Sequence, residues 1–453
     1  MRQLIIAAVF IMSSASYLQA QQAADTFLLT YREAVTIALK NNLLLNQEKN
    51  NLLARQVQKN QSITAFLPGV SIQGSAAHTD GQQPNPDGGE LMDLSVDNVN
   101  ANLQAGMTIF NGFNRIHTLN QTSNLFRAQT SLVKRTEQEV VYTVTTQYLQ
   151  VLLDQELLRI ANEAHRVQRV ILNQLSEQVN LGARAEADMY TQDAQVRNLE
   201  VTALQAKVTL ENDKAFLSQT LQLDPEVPFL LEFPSIENTM DIQAMSLDSL
   251  YAVAVANRED LKQAEYQAKA NLYAYKASAN GFMPNIALFA SYGSQYISTL
   301  KGDPLYGNFG NQFKTVFPSI SYGVNVTIPL FDRMVTRTNR VFNKVLYENA
   351  KLQRDNVEKR IKIDVKRTYN NYLTAMESYR ASQVQSQAGE LALRTQQESF
   401  ILGVASQVAL AQANQTYVQA AASKAQAEVT LLFQQMLMEY ALGTLRVDSF
   451  QDQ

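Results

Sequence analysis

The sequence has 453 residues, 46% of them apolar, and a formal net charge of −4. That balance supports a substantial core and argues against nucleic acid or a polybasic membrane-surface role. There is no cysteine, which excludes disulfides, thiol catalysis and zinc–thiolate sites, while few glycines (17) and prolines (10) suit long, rarely broken helices.

One arginine, an apolar stretch from Leu4 to Met12 and small residues up to Ala20 predict a secretory leader over residues 1–20. Polar Gln21 and Gln22 follow at once, and with no cysteine beside the cut no lipid anchor is expected there. Beyond the leader no run of 18 apolar residues exists. Even the segment from Val140 to Leu158 carries Gln147, Gln150, Asp154 and Glu156, so no transmembrane helix is expected.

The remainder reads as two copies of one plan: helix, strand, loop, strand, very long helix, tight turn, helix. "LTYREAVTIALKNN" from Leu29 matches "MSLDSLYAVAVANR" from Met245, and "AFLPGVSIQGS" from Ala65 matches "GFMPNIALFAS" from Gly281, at a constant spacing of 216 residues. Further on the spacing is 221. Phe110-Asn111 then meets Phe331-Asp332, Tyr148 meets Tyr369, and Leu181-Gly182 meets Leu402-Gly403. The difference of five falls between the two strands of each copy, where a loop absorbs it. Residues 21–223 form the first repeat, 224–246 an inter-repeat belt containing "DPEVPFLLEFP", 247–445 the second repeat and 446–453 a tail.

The helix before each first strand and the helix after each tight turn are predicted at about 37–40 residues. The strands alternate. In "PSISYGVNVTIPLF" Ile320, Tyr322, Val324, Val326, Ile328 and Leu330 share one face, and Ser319, Ser321, Gly323, Asn325 and Thr327 the other. In "NVNANLQAGMTI" Val99, Ala101, Leu103, Ala105, Met107 and Ile109 alternate with Asn100, Asn102, Gln104, Gly106 and Thr108, and the strand after Pro284 places Ile286, Leu288, Ala290, Tyr292 and Tyr296 together. About ten residues, apolar outside and polar inside, is the pattern of an outer-membrane barrel strand. A half-buried sandwich gives the same alternation, but the leader and the polar second face favour the barrel. Four strands cannot close, and lipid tolerates no open edge, so several chains must share one barrel.

The long helices are predicted over about 113–179 and 335–401, each spanning roughly 100 Å. Leu153, Leu157, Ile160, Ala164, Val167 and Ile171 step by fours and threes. So do Val365, Tyr369, Tyr372, Met376 and Tyr379, and so do Val196, Leu199, Ala203, Ala206 and Leu210 on the return helix. A 3.5-residue period means coiled-coil packing. Ala-rich "YVQAAASKAQAEV" from Tyr417 allows helices to approach closely.

The duplicated order, "IPLFDR" at Ile328 with "TIFNGF" at Thr108, and the closing "ALGTL" at Ala441 resemble TolC-type outer-membrane efflux proteins over about Leu29 to Leu445. The resemblance implies a homotrimer: a twelve-stranded membrane β-barrel, four strands per chain, continued by a long α-helical coiled-coil barrel through the periplasm. It implies the outer-membrane channel of a tripartite efflux or type I secretion system, a passive duct. Its partners would be outer-membrane lipid, a periplasmic adaptor (membrane fusion) protein and, through that, an inner-membrane pump. It also marks the turns "NLGARAEADM" and "ILGVASQVAL" as the periplasmic tip, with Leu181, Gly182, Arg184, Leu402 and Gly403 meeting the adaptor. Both glycines serve as left-handed helix stops whatever else they do. Such proteins commonly carry an acid six residues after that glycine. Asp188 matches and would narrow the channel, whereas the second copy has Ala409, with Gln412 beyond.

The rest of the sequence offers no catalytic constellation. His78, His117 and His165 are far apart, on a strand end and two helical stretches, and no two have the spacing of a zinc helix. "GDPLYGNFG" from Gly302 lacks the Lys-Ser/Thr of a phosphate loop and reads as a surface loop. The acids from Asp80 to Asp93 lack the EF-hand register. No enzyme, metal or cofactor is expected, and no nucleic-acid partner. A different class, an exported trimeric coiled-coil adhesin or stalk, would share the heptads but would need neither two hairpins nor two helix pairs per chain. Drugs, metals, peptides and proteins all remain open as cargo.

Overall fold

The computed structural model describes residues 27–84, 91–224, 227–232, 245–300 and 304–445. The expected leader, the tail and most of the inter-repeat segment lie outside the described residues. Two compact units are formed. One takes residues up to 48 with 133–259 and those from 358 onward, and the other takes 49–132 with 260–357.

In chain order the elements are β1 (Phe27–Leu29), α1 (Tyr31–Asn41), α2 (Leu43–Thr64), β2 (Gly69–Pro84), β3 (Leu91–Asn111), α3 (Asn114–Asn180) and α4 (Glu186–Leu221). Then follow β4 (Phe229–Leu231), α5 (Leu247–Asn257), α6 (Glu259–Ala279), β5 (Asn285–Ile297), β6 (Ser319–Thr327), α7 (Val335–Ile401) and α8 (Gln407–Leu442). The long helices α3 and α7 are both 67 residues and the return helices α4 and α8 both 36, so the repeat is kept to the residue.

The repeat extends to the hydrogen bonds that start and stop the elements. Thr30 caps α1 in a capping box with Glu33, and Ser246, 216 residues on, caps α5 by accepting from the Ser249 amide. After β3 the chain turns through Gly112 and Phe113 with φ of 65° and 64°; after β6 it turns through Arg333 and Met334 with φ of 55° and 67°. Asn111 Oδ1 accepts from the Arg115 amide at 3.2 Å, and Asp332 Oδ2 from the Thr336 amide at 2.7 Å. Two successive left-handed residues and an acceptor side chain thus turn strand into helix in both copies. In the first copy a Cβ at position 112 would stand 2.7 Å from Met283 Cβ, so glycine is required there.

The helix expected before each strand is in fact two helices. The chain breaks at Asn42 (ψ 123°) and at Arg258 (ψ 117°), giving 11 and 22 residues in one copy and 11 and 21 in the other. Each break lies beside the end of its own return helix. Asn41 Nδ2 reaches the Leu221 carbonyl at 3.4 Å, and Arg258 Nη1 the Ala441 carbonyl at 3.3 Å. These bonds satisfy carbonyls that a helix end leaves free. They also place "ALGTL" against Arg258, with Gly443 in the left-handed cap. Beside them β1 and β4 form a short parallel pair, not anticipated from the sequence, over buried Tyr148. The Tyr148 hydroxyl lies 2.7 Å from the Glu232 carbonyl and 3.1 Å from that of Leu29.

The helical stripes hold with one shift of phase. On α4 Val196, Ala203, Leu210 and Leu217 are buried at every seventh residue, with Leu199 and Ala206 at the margin. On α7 the buried line is Ile361, Val365, Thr368, Tyr372 and Ala375, which leaves Tyr369, Met376 and Tyr379 half-buried beside it.

In the second unit the strands form one antiparallel sheet in the order β2-β3-β5-β6, so the second strand of one copy pairs with the first strand of the other. β2 and β3 run 16 and 21 residues, longer than expected, because pairing continues past the apolar band. Beyond Ala76 and Val99 the same face carries His78 opposite Asp97 and Asp80 opposite Ser95. His78 therefore lies within a strand, its Nδ1 2.6 Å from Asp97 Oδ1, rather than at a strand end. Asp87 and Glu90 lie outside the described residues. The described part of the expected surface loop between β5 and β6 packs onto the strands: Gln312 is buried and accepts from the Ile297 amide, beside stacked Phe309 and Phe313.

Candidate functional site

Among the described residues two features leave large apolar side chains exposed: the sheet and the interhelical turns. On the sheet, β-register places Leu103, Tyr292 and Ile320 in one row and Met107, Leu288 and Val324 in another. Ile72, Ile320, Tyr322, Val324 and Val326 on that face are all exposed. The opposite face carries Gln73, Asn102, Gln104, Ser291, Ser321 and Asn325, and Ser291 and Ser321 share a hydrogen bond at 2.7 Å. A solvated antiparallel sheet hides its apolar face in a core and wets its polar one. Here the apolar face is bare as well as the polar one.

The turns form the second feature. Each ends its helix in a Schellman motif. The amides of Gly182 and Ala183 bond to the Val179 and Gln178 carbonyls, and those of Gly403 and Val404 to Phe400 and Ser399. Gly182 and Gly403 have φ of 71° and 75°, with open space where a Cβ would project. Leu181, Leu402 and Val404 are 83%, 77% and 82% exposed. The guanidinium of Arg184 lies over the Phe400 ring at 4.9 Å, tying the first turn to the end of the second long helix. Beneath lies a core of Ile171, Leu175, Leu393, Phe400 and Leu410. The Arg184–Phe400 contact and this shared core set the turn of Leu181, Gly182 and Arg184 beside that of Leu402 and Gly403.

Asp188 is half-buried in the first turn of α4, where with Glu186 it complements the helix N-terminus. Ala185 gives that helix no side-chain cap, whereas Ser406 caps α8 by accepting from the Ala409 amide at 3.2 Å. The two copies solve the same end differently, which accounts structurally for an acid in one and alanine in the other.

One layer above the turns lies a buried amide cluster that heptad spacing alone does not mark. Gln192 Nε2 lies 2.9 Å from both the backbone and side-chain oxygens of Gln168, and Gln407 Nε2 donates to Gln192 Oε1. All three are buried. The one available signal is that the α4 stripe, continued four residues back from Val196, lands on Gln192.

The sequence matches the profile of the outer membrane efflux protein family over residues 34–221 and 250–444. This chain belongs to that family. No curated protein matches the sequence. Among solved structures it is similar to the outer-membrane channel OprN, at 17% identity with 91% of this chain and 90% of that one covered and a TM-score of 0.77. It is also similar to the CmeC outer membrane channel of Campylobacter jejuni (16%, 91% and 85%, 0.77). A third is the open state of the MtrE outer membrane channel of Neisseria gonorrhoeae (16%, 92% and 90%, 0.74). At such identities the likeness concerns the fold.

The chain is therefore an outer membrane efflux protein with the fold of outer-membrane channels of the TolC type. The bare apolar face of the sheet is what a lipid-facing barrel wall requires. The adhesin reading has no support. No helix among the described residues is long and apolar enough to cross a membrane.

Proposed function

We propose that three copies of this chain close a twelve-stranded barrel, the polar faces of their sheets lining the pore and their helices forming a tube that ends at the paired turns. The observation that carries this is the four-stranded sheet with its exposed apolar face. β2 and β6 are its outer strands, and an open edge in lipid is not tolerated, so β6 of one chain meets β2 of the next. Residues 21–223 and 247–445 act as repeats of one building block, with 224–246 as a belt between them.

At the turns, exposed Leu181 and Leu402 are the apolar anchors for a periplasmic adaptor, with Gly182, Gly403 and Arg184 fixing the loop shapes. Through the adaptor the duct is coupled to an inner-membrane pump, which supplies the energy and selects the cargo. Asp188, once per chain, contributes a ring of three carboxylates at the entrance. The protein itself is a passive duct without catalysis.

The test separates docking from folding. Gly403→Ala adds a Cβ into open space at positive φ and should cost about 1 kcal/mol with export unchanged. Leu402→Asp should abolish export while trimer still reaches the outer membrane. Asp188→Asn should lower cation preference without blocking assembly. Loss of trimer together with export in Leu402→Asp would leave docking unsupported; full export would remove it from these turns.

A further inference from the structure

The apolar face of the sheet does not stop where the strands do. Its last row is Phe110 of β3, Ile286 of β5 and Val326 of β6, reached across a bulge at Ile109. The Phe110 ring meets that of Phe113 edge-on at 5.2 Å, so apolar surface runs on from this row into the turn before α3, where Phe113 is exposed. Phe282 before β5 and Phe331 after β6 are exposed at the same end of the sheet. On β3 the apolar face from Val99 to Phe110, at about 3.3 Å per residue and a tilt of roughly 45°, is about 25 Å tall, the height of the lipid-facing band of an outer-membrane barrel. Lipid headgroups would then begin where the strands give way to helices.

What begins there is one sign of charge. α2 and α6 lead into this end of the sheet, and α3 and α7 lead out of it. In residues 52–64, 114–126, 267–279 and 335–347, the parts of these helices nearest the strands, there are eight lysines and arginines and no acid. Five of them, Lys59, Arg115, Lys276, Arg337 and Arg340, lie within the six helical residues closest to the sheet, about 9 Å of helix. Among the described residues none of the five forms an ion pair. Four lie instead over aromatic rings: Lys59 over Phe126 at 5.1 Å, Arg115 over Phe66 at 6.0 Å, Lys276 over Tyr273 at 5.3 Å and Arg340 over Tyr275 at 6.0 Å. A ring steadies a cation without cancelling its charge. Asp332, the acid of the turn before α7, accepts from the Thr336 amide. Farther along α3 and α7 the pattern reverses, and Arg159, Arg166 and Arg380 each bond the glutamate three residues before.

We infer that these five cations form a binding collar for anionic phospholipid in the membrane leaflet on the helical side of the sheet, with acyl chains on the apolar face and phosphates at the cations. The collar rests on the reading of the apolar face as the lipid-facing wall. Two features choose lipid over a dissolved anion. The charges continue an exposed apolar face, and they are distributed over four helices instead of gathered on one. Each cation at an anionic membrane surface favours it by about fivefold, an attraction that salt screens.

Purified oligomer in mixed micelles holding equal amounts of phosphatidylglycerol and phosphatidylcholine with the same acyl chains gives the test, the retained lipid being counted by native mass spectrometry. Native protein should keep phosphatidylglycerol over phosphatidylcholine by about tenfold, and the triple variant Lys276→Gln, Arg337→Gln, Arg340→Gln should bring the ratio to about twofold or less. Arg337→Lys with Arg340→Lys preserves the charge and should preserve the ratio. So should Lys359→Gln with Lys366→Gln, which removes two exposed charges farther along α7. Equal retention of both lipids by native oligomer, or an unchanged ratio in the triple variant, would overturn the collar. Release of phosphatidylglycerol by inorganic phosphate, but not by sodium chloride of equal ionic strength, would mark a free-anion site and overturn it equally. A triple variant that alters the anion preference of the channel current and leaves the lipid ratio alone would put the cations in the duct. An oligomer that keeps neither lipid would contradict the lipid-facing wall itself, a different outcome from a wall that keeps both alike.

Discussion

Gln192 in α4 and Gln168 in α3 meet twice, the side-chain amide of the first lying 2.9 Å from both the carbonyl and the side-chain oxygen of the second. Gln407, the first residue of α8, completes the layer through Gln192 Oε1. Three helices are thereby held in one axial register just above the turns, as a buried polar residue does in a coiled coil at some expense of stability. Gln192→Ala strands both partners and should cost about 1–3 kcal/mol, read as a lower melting temperature. Replacing all three by leucine removes the whole amide cluster and should restore or raise that temperature. A triple variant less stable than the single one would contradict the register role.

The two faces of β6 should respond differently to charge. Val326 lies in the exposed apolar row, paired with Ile286, while Asn325 lies on the polar face opposite Ala287. Val326→Arg near the middle of the bilayer should cost roughly 2–4 kcal/mol, and Asn325→Arg close to nothing. Detergent-extracted oligomer on a native gel, heated in steps, measures this. Equal losses at both positions would indicate a sheet buried on one side by protein.

Asp154 is only 3% exposed, although it was met in the sequence as one of the polar residues that rule out a membrane helix. Burial first, and then neighbouring Asp213 on α4, push its carboxyl up to about 7, while Gln150 Nε2 donates to Oδ1 at 3.1 Å. A carboxyl raised on folding gives a native state that binds the proton more tightly than the unfolded one. Below the unfolded pKa near 4 the group has no effect; between there and about 7 it becomes a growing penalty, which is complete above that pH. Asp154→Asn keeps an acceptor for Gln150 and imitates the protonated form. The variant should match native protein at about pH 4 and below and be more stable at pH 8, by roughly 2–4 kcal/mol. A melting-temperature series across that range shows it, and parallel curves would contradict the burial argument.

The large plan was legible because its signals repeat. The two long helices were placed to within a residue by heptads that end on Gly182 and Gly403, and the strands by strict alternation. What was not legible depends on tertiary partners. The breaks at Asn42 and Arg258 lie between good helix formers, and only the return-helix ends at Leu221 and Ala441 show why they occur. Strand length was underread because β2 and β3 keep pairing beyond their apolar band. Gln168, Gln192 and Gln407 look like any solvated residue until three helices close over them.

The most direct test of the account is the single-channel conductance of purified oligomer in a planar bilayer. Twelve strands lined by Asn102, Gln104, Ser291, Ser321 and Asn325 should enclose a water-filled pore and give steady, reproducible current steps whose ion preference shifts in Asp188→Asn. An intact oligomer that inserts and passes no current, in native form and with Asp188 neutralised, would contradict a duct and leave only a stalk.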